Sequence, residues 1–302
     1  MSIDIIGFEE GEAAISWAGL TNALAAGHTL PKAAIGDTFL YRDPDTLLSR
    51  SAWIDGLGVA VKSATIFPGN KAARRPAVNG SVSMFSDKTG ELEALVDFHL
   101  VTKWKTAGDS LYAAKLLANP DPDTILVIGT GTVAGNMIDA YRSAFPHARF
   151  TVWGRNTEYA TTFAEANGAT AILDLADAVQ QAQIICTATM TTTPILKGEW
   201  LQAGQHLDLI GAYRPDMREV DDKAMQRAKL FVDSFETTLD HIGELKIPLE
   251  SGAIQRGDVL GDFYTPSAFT RSPDDITICK NGGGAHLDLM TCRYILDQWK
   301  AA

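Results

Sequence analysis

The sequence predicts an α/β fold of two domains, one of them built on a doubly wound parallel sheet. Three observations carry that reading. From Ile125 onward, short apolar runs alternate with helix-like segments in the rhythm of βα repeats. The first of these runs, Ile125-Leu-Val-Ile, closes into Gly129-Thr-Gly131-Thr-Val-Ala134 and opens directly into a helix-like segment at 135–145. Before Asn119-Pro-Asp-Pro122, by contrast, β-like runs follow one another without helices between them, as in an α+β domain with an antiparallel or mixed sheet.

Residues 9–27 place small, apolar and polar residues at helical spacing, and Gly27-His-Thr-Leu-Pro31 ends that helix. Four β-like runs follow, near 34–40, 57–66, 81–85 and 92–96. The last two are joined by Ser86-Asp-Lys-Thr-Gly90, a hairpin signal. Residues 102–118 read as a helix that Asn119-Pro-Asp-Pro122 stops, which makes the latter a linker. Beyond it, strands are expected at 125–128, 150–153, 169–173, 184–187, 206–210, 230–232 and 276–279. Residues 285–299 form an amphipathic helix with no strand after it, free to return to the first domain.

Composition narrows the function. A chain of 302 residues with 46% hydrophobic content can fill one large or two ordinary cores. A net charge of −11 without any basic run argues against nucleic acid, whose phosphates need clustered Lys and Arg. The three cysteines, Cys186, Cys279 and Cys292, show no metal-ligand spacing and read as reduced, buried thiols. With no signal-like segment and no apolar run of membrane-spanning length, the expectation is a soluble cytoplasmic protein that binds neither metal nor membrane.

The glycine-rich turn points to a dinucleotide. Gly129 and Gly131 let backbone N–H groups approach a pyrophosphate, with Thr132, Val133 and Ala134 opening the helix whose N-terminus faces the anion. The second strand of the repeat ends in Val152-Trp-Gly154-Arg155-Asn156. An acidic residue for a ribose 2′-hydroxyl is absent there, and Arg155, with Asn156, suits a 2′-phosphate, so NADPH is preferred and NADH remains open. Thr187 and Thr189 end another apolar strand, where open α/β sheets place their ligands.

In the first half, four basic residues stand in or beside apolar segments: Arg42, Lys62, Lys103 and Lys105. Lys62 is the most informative, because Gly58-Val-Ala-Val-Lys62-Ser-Ala-Thr-Ile-Phe67 is otherwise an apolar strand. Either the ammonium meets an anion or it snorkels from an edge strand.

The motifs taken together resemble the ornithine cyclodeaminase/μ-crystallin family. They are Val61-Lys62-Ser-Ala-Thr-Ile-Phe67-Pro-Gly-Asn70, Thr89-Gly-Glu91, Thr102-Lys-Trp-Lys105-Thr-Ala107, the glycine turn, Ile185-Cys-Thr187-Ala-Thr189, Gly211-Ala-Tyr213-Arg-Pro-Asp216-Met-Arg-Glu219, and Lys280-Asn-Gly-Gly283 with Asp288. The resemblance implies a Rossmann domain over residues 119–284, inserted into an α+β substrate-binding and dimerisation domain formed by 1–118 and 285–302. It implies a homodimer, and chemistry that passes through an imine of a small anionic amino acid. It also implies that Lys62, Arg42 and Lys105 face the substrate, Lys62 as the catalytic residue, and that Gly211 and Tyr213 border the cofactor.

Two departures shape the expectation. Lys105 stands where the family usually has arginine, so a point charge replaces a bidentate fork. Tyr213 stands where the cyclodeaminase branch has its catalytic aspartate, which favours the imine-reductase branch. Asp216 and Glu219 read as loop and helix-start acids or as catalytic groups, and His286 as an N-terminal helix residue or an acid/base. The expected function is NADPH-dependent reduction of Δ1-pyrroline-2-carboxylate or Δ1-piperideine-2-carboxylate to proline or pipecolate. The alternatives are an ornithine cyclodeaminase, an alanine-type dehydrogenase, and a dinucleotide-binding protein with little turnover.

Overall fold

A computed structural model describes residues 3–73 and 75–302. The chain divides into two compact units, one of residues 1–105 with 284–302 and the other of 106–283. The division falls inside a helix and not at the Asn119-Pro-Asp-Pro122 linker. The reason is local: Asp109 and Ser110, late in that helix, hydrogen-bond Asn281, and Tyr112 packs on Phe263, so its second half belongs with the parallel sheet.

The first unit holds a six-stranded mixed sheet. Its strands are β1 (Asp4–Ile6), β2 (Ala34–Arg42), β3 (Asp45–Ile54), β4 (Gly58–Ile66), β5 (Val78–Phe85) and β6 (Leu92–Asp97), in the order β1-β6-β5-β4-β3-β2. Only the β1–β6 pairing is parallel; the rest is a meander of antiparallel neighbours. Neither β1 nor β3 was expected. β3, Asp-Thr-Leu-Leu-Ser-Arg-Ser-Ala-Trp-Ile, mixes polar residues through its apolar ones and so lacks a clear strand period, yet it pairs along its whole length with β2 and β4.

The helices of this unit are α1 (Phe8–Ala14), α2 (Trp17–Gly27), the start of α3 (Phe98–Leu117) and, from the chain end, Ala285–Ala301. The single helix expected over 9–27 is thus two. Ser16 breaks it with extended backbone and caps the second helix by accepting the Gly19 N–H, as a serine in that place does. Trp17 stacks on Trp104 at 3.9 Å between centroids, fixing α2 against α3. The terminal helix packs on β3, β4 and α2 and is buried without interruption from Ala285 to Cys292.

The second unit is an eight-stranded parallel sheet. Its elements are β7 (Thr124–Ile128), α4 (Thr132–Ala144), β8 (Arg149–Trp153), α5 (Thr157–Ala166), β9 (Thr170–Ala171), α6 (Leu175–Gln181), β10 (Ile184–Thr187), β11 (His206–Leu209), α7 (Asp222–Arg227), β12 (Lys229–Val232), α8 (Phe235–Thr238), α9 (Gly243–Ser251), β13 (Val259–Gly261) and β14 (Thr277–Lys280). The terminal helix of the first unit is then α10. β7, β10, β11 and β14 are buried at every position, as strands covered on both faces must be. From β7 the order runs outward through β8 to β9 on one side and through β10 and β11 on the other, so the β7/β10 junction is the topological switch point. The three free cysteines are buried, and burial pushes each thiol up, which keeps them protonated. Among the described residues no helix is long and apolar enough to cross a membrane.

Candidate active site

The parallel sheet forms a cavity of about 380 Å³ at the C-terminal ends of β7, β8 and β10. Gly129, Thr130, Gly131, Thr132 and Val133 line one side, Trp153, Gly154 and Arg155 another, and Ala188, Thr189, Met190, Thr191 and Ile195 the third. A larger cleft of about 660 Å³ opens at the opposite end of the sheet, beside Gln183 and Gln205. Ligands of such sheets bind beyond the carboxyl ends of the strands, and the smaller cavity is the one at a switch point.

Its residues suit a dinucleotide pyrophosphate. Gly129 has φ +133°, and a Cβ there would lie 2.7 Å from the Ala188 carbonyl oxygen, so only glycine makes the turn. No atom lies within 4 Å of where a Cβ on Gly131 would stand, which leaves open space at the start of α4. That 13-residue helix has no side-chain cap, so its first N–H groups are available to an anion. Ala134 is fully buried and serves helix packing. Arg155 is exposed at the cavity wall, whereas Asn156 uses its side chain to cap α5 by accepting the Tyr159 N–H at 2.8 Å. A Cβ on Gly154 would fall 2.7 Å from Thr130 Cγ2, so this glycine answers to the neighbouring loop before any ribose phosphate. Thr189 lines the cavity; Thr187 is wholly buried, and its hydroxyl donates to Glu219.

Gly211 and Tyr213 are not among the lining residues, and Tyr213 stands 59% exposed beneath the Arg214 guanidinium. Asp216 forms an exposed two-point pair with Arg214, and that hydrogen bonding holds its carboxyl below the usual range. Its carboxylate is committed to Arg214 at the surface.

The first unit gathers a second set of charges. Lys62 lies on the buried face of β4 between Ala60 and Ala64, because strand positions alternate between faces. Its ammonium donates to Asp288 at 2.9 Å and to the Thr102 hydroxyl at 2.8 Å, and sits 4.7 Å from the Phe98 ring centroid. It meets an anion and does not snorkel. Asp288, in the first turn of α10, is wholly buried; burial opposes its charge, but Lys62, Lys105 and Arg50 outweigh that and hold the carboxyl below its ordinary value. Lys105 is buried as well.

Arg50 was invisible in the sequence because β3 was. It lies directly opposite Lys62 in the β3–β4 register, so both side chains emerge on one face, and it pairs with Asp37 at 2.7 Å. Arg42, expected in this cluster, is absent from it: its side chain is 78% exposed at the end of β2, bound to Asp45 at 2.6 Å. Lys103 pairs with Glu12 on α1. His286 is fully buried, edge-on to His28 at 5.4 Å, and burial followed by the charges of its neighbours drives its pKa well below 6.5. Its imidazole is neutral near pH 7.

The sequence profile of the ornithine cyclodeaminase/mu-crystallin family matches residues 54–302. A Δ1-pyrroline-2-carboxylate reductase of Paracoccus denitrificans is 49% identical over 291 residues, covering 93% of this chain and 92% of its own. The ketimine reductase mu-crystallin of Mus musculus is 31% identical across 80% of this chain and 77% of its own. Among solved structures, an archaeal alanine dehydrogenase dimer with bound NAD superposes with a TM-score of 0.89 at 26% identity, covering 100% of this chain and 97% of that one. With a profile that takes in most of the chain, and relatives that align along four-fifths or more of it, the chain belongs to the ornithine cyclodeaminase/mu-crystallin family.

Proposed function

We propose that this chain reduces the C=N bond of a cyclic ketimine acid, Δ1-pyrroline-2-carboxylate or Δ1-piperideine-2-carboxylate, to proline or pipecolate, with NADPH as the preferred donor. The class is that of its relatives, NAD(P)H-dependent oxidoreductases acting on carbon–nitrogen bonds. The observation that carries the substrate class is the buried charge set of the first unit. Lys62 and Lys105 are both buried, and together with Arg50 they hold the buried Asp288 carboxyl in its charged form, a concentration of cations that suits a substrate carboxylate.

The reduced nicotinamide, when bound, supplies the hydride. The chain's own work is to bind, orient and protonate. Lys105 and Arg50 hold the carboxylate, and the Lys62 ammonium donates a proton to the imine nitrogen, to be restored from solvent. Asp288 and Thr102 fix the direction in which that ammonium points. Thr130 to Val133 and the start of α4 take the pyrophosphate.

Arg155→Ala is expected to weaken NADPH roughly ten- to hundredfold and leave NADH nearly unchanged, because only NADPH carries the 2′-phosphate for the guanidinium. Dissociation constants for both nucleotides check this, and equal weakening of the two would mean that Arg155 stacks on the adenine. We also propose a homodimer. All nine residues of the edge strand β2 are exposed, Leu40 at 63% and Tyr41 at 76%, a surface that an isolated chain would leave open to aggregation. Light scattering at micromolar concentration should give twice the chain mass; a monomer would contradict it.

The functional reading itself is tested by a screen of NADPH consumption. Activity with cyclic imines that needs no ammonia supports the reductase, whereas activity only with pyruvate plus ammonia is that of a dehydrogenase. Ammonia release from ornithine without net redox change would mark a cyclodeaminase, and nucleotide binding without any turnover a binding protein.

A further inference from the structure

The sequence left Glu219 between a helix-start acid and a catalytic group. The structure gives it neither place. Its side chain is wholly buried in the parallel-sheet unit, and its carboxylate accepts five hydrogen bonds. Oε1 takes the Thr189 N–H at 2.8 Å and the Thr189 hydroxyl at 2.7 Å. Oε2 takes the Thr187 hydroxyl at 2.8 Å, the Gly211 N–H at 2.8 Å and the Ala212 N–H at 3.3 Å. One carboxylate therefore joins the chain leaving β10 to the chain leaving β11. Its own carbonyl oxygen accepts from the N–H groups of Ile195 and Leu196, at 2.9 and 3.1 Å. The segment from Thr189 to Leu196 is thus tied to Glu219 at both ends, and that segment supplies Thr189, Met190, Thr191 and Ile195 to the cavity wall.

A second buried carboxyl holds Glu219 from behind. Glu244 accepts the N–H groups of Glu219 and Val220, at 2.7 and 3.1 Å. Burial and the neighbouring Glu219 carboxylate push its pKa up to about 7. The Lys280 ammonium, wholly buried at the end of β14, is fixed by the carbonyls of Leu209 and Asn281 at 2.6 Å each and interacts favourably with both carboxyls. Buried charge of this kind is costly unless each lone pair is used. Here the lone pairs are spent on main-chain N–H groups and threonines that shape the ligand end of the sheet.

We propose that Glu219 is the positioning residue of the dinucleotide cavity, setting the wall from Thr189 to Ile195 by joining the ends of β10 and β11. It touches no ligand and acts through the backbone it holds. The proposal rests on reading that cavity as the dinucleotide site and not on the identity of the imine. Glu219→Gln keeps the shape of the side chain but puts an amide NH₂, which cannot accept, where N–H and O–H donors now converge. Thr187→Val removes one of those donors without touching the cavity, since Thr187 is buried outside it.

The test is the dissociation constant for NADPH, measured by calorimetry without any imine, beside the thermal midpoint and the imine KM at saturating nucleotide. Glu219→Gln should weaken NADPH at least roughly tenfold and Thr187→Val severalfold, with the imine KM unmoved. The two effects should fall short of additive in the double variant, because Thr187 acts only through Glu219. If Glu219→Gln fails to fold, Thr187→Val decides. Folded variants with wild-type NADPH affinity, or a loss of thermal midpoint with no change in affinity, would overturn the proposal and leave Glu219 as fold support alone. A wild type that binds neither NADPH nor NADH would overturn the dinucleotide reading itself, a different result from the first.

Discussion

Lys62→Ala should bind NADPH as the wild type does and lose roughly ten- to hundredfold in turnover, or more where proton donation limits the rate. The two functions separate because Lys62 belongs to the mixed sheet and the glycine turn to the parallel one. The substitution also strands Asp288, a wholly buried carboxylate, and breaking such a pair costs about 3–5 kcal/mol where nothing else compensates. Lys105 and Arg50 offset part of that. A second variant keeps the result interpretable: Lys62→Ala with Asp288→Asn removes both charges, and should recover the thermal midpoint but not the turnover. Near-normal kinetics in the folded double variant would reduce Lys62 to the structural partner of Asp288.

The second large effect is on stability in acid. His28 is buried, bonded through Nδ1 to the Leu24 carbonyl at 2.7 Å, and burial lowers its pKa from 6.5 to about 4. Between those values the unfolded chain binds a proton that the folded chain refuses. Stability is therefore complete above pH 6.5 and falls as the pH drops toward 4, by about 3 kcal/mol for this one group. His286, shifted the same way, adds to the fall. Urea unfolding at pH 7.5 and pH 4 checks this. In His28→Gln, which retains a donor for the Leu24 carbonyl, the difference between the two pH values should shrink by about 3 kcal/mol. Equal differences in variant and wild type would show that His28 is protonated in the folded state.

How far the sequence led depended on whether each signal was local. The glycine turn, the βα rhythm and the stop at Asn119 are local, and the parallel sheet and the start of α4 were legible from them. So was Lys62, because an ammonium in an apolar strand is anomalous at sight. β3 was not, since its Ser, Arg and Thr residues lie on a strand flanked on both sides, where pairing and not side-chain pattern holds the chain. With it went Arg50, whose place depends on a partner 12 positions away in the register, and in its stead the reading chose Arg42, an exposed residue at a strand end. Glu219 was hidden for a related reason. Its five donors come from segments up to 32 residues distant, and no spacing rule joins Thr187, Thr189 and Gly211 to one carboxylate before the sheet is folded.

The central claim is that a cyclic imine acid is the electron acceptor. It is tested most directly by the initial rate of NADPH oxidation by the purified protein with Δ1-pyrroline-2-carboxylate, in buffer free of ammonia, with proline measured as product. The account predicts nucleotide consumption and proline formation in equal amounts, at a rate that saturates with the imine and collapses in Lys62→Ala. NADPH oxidation no faster with either the five- or the six-membered imine than without would contradict it.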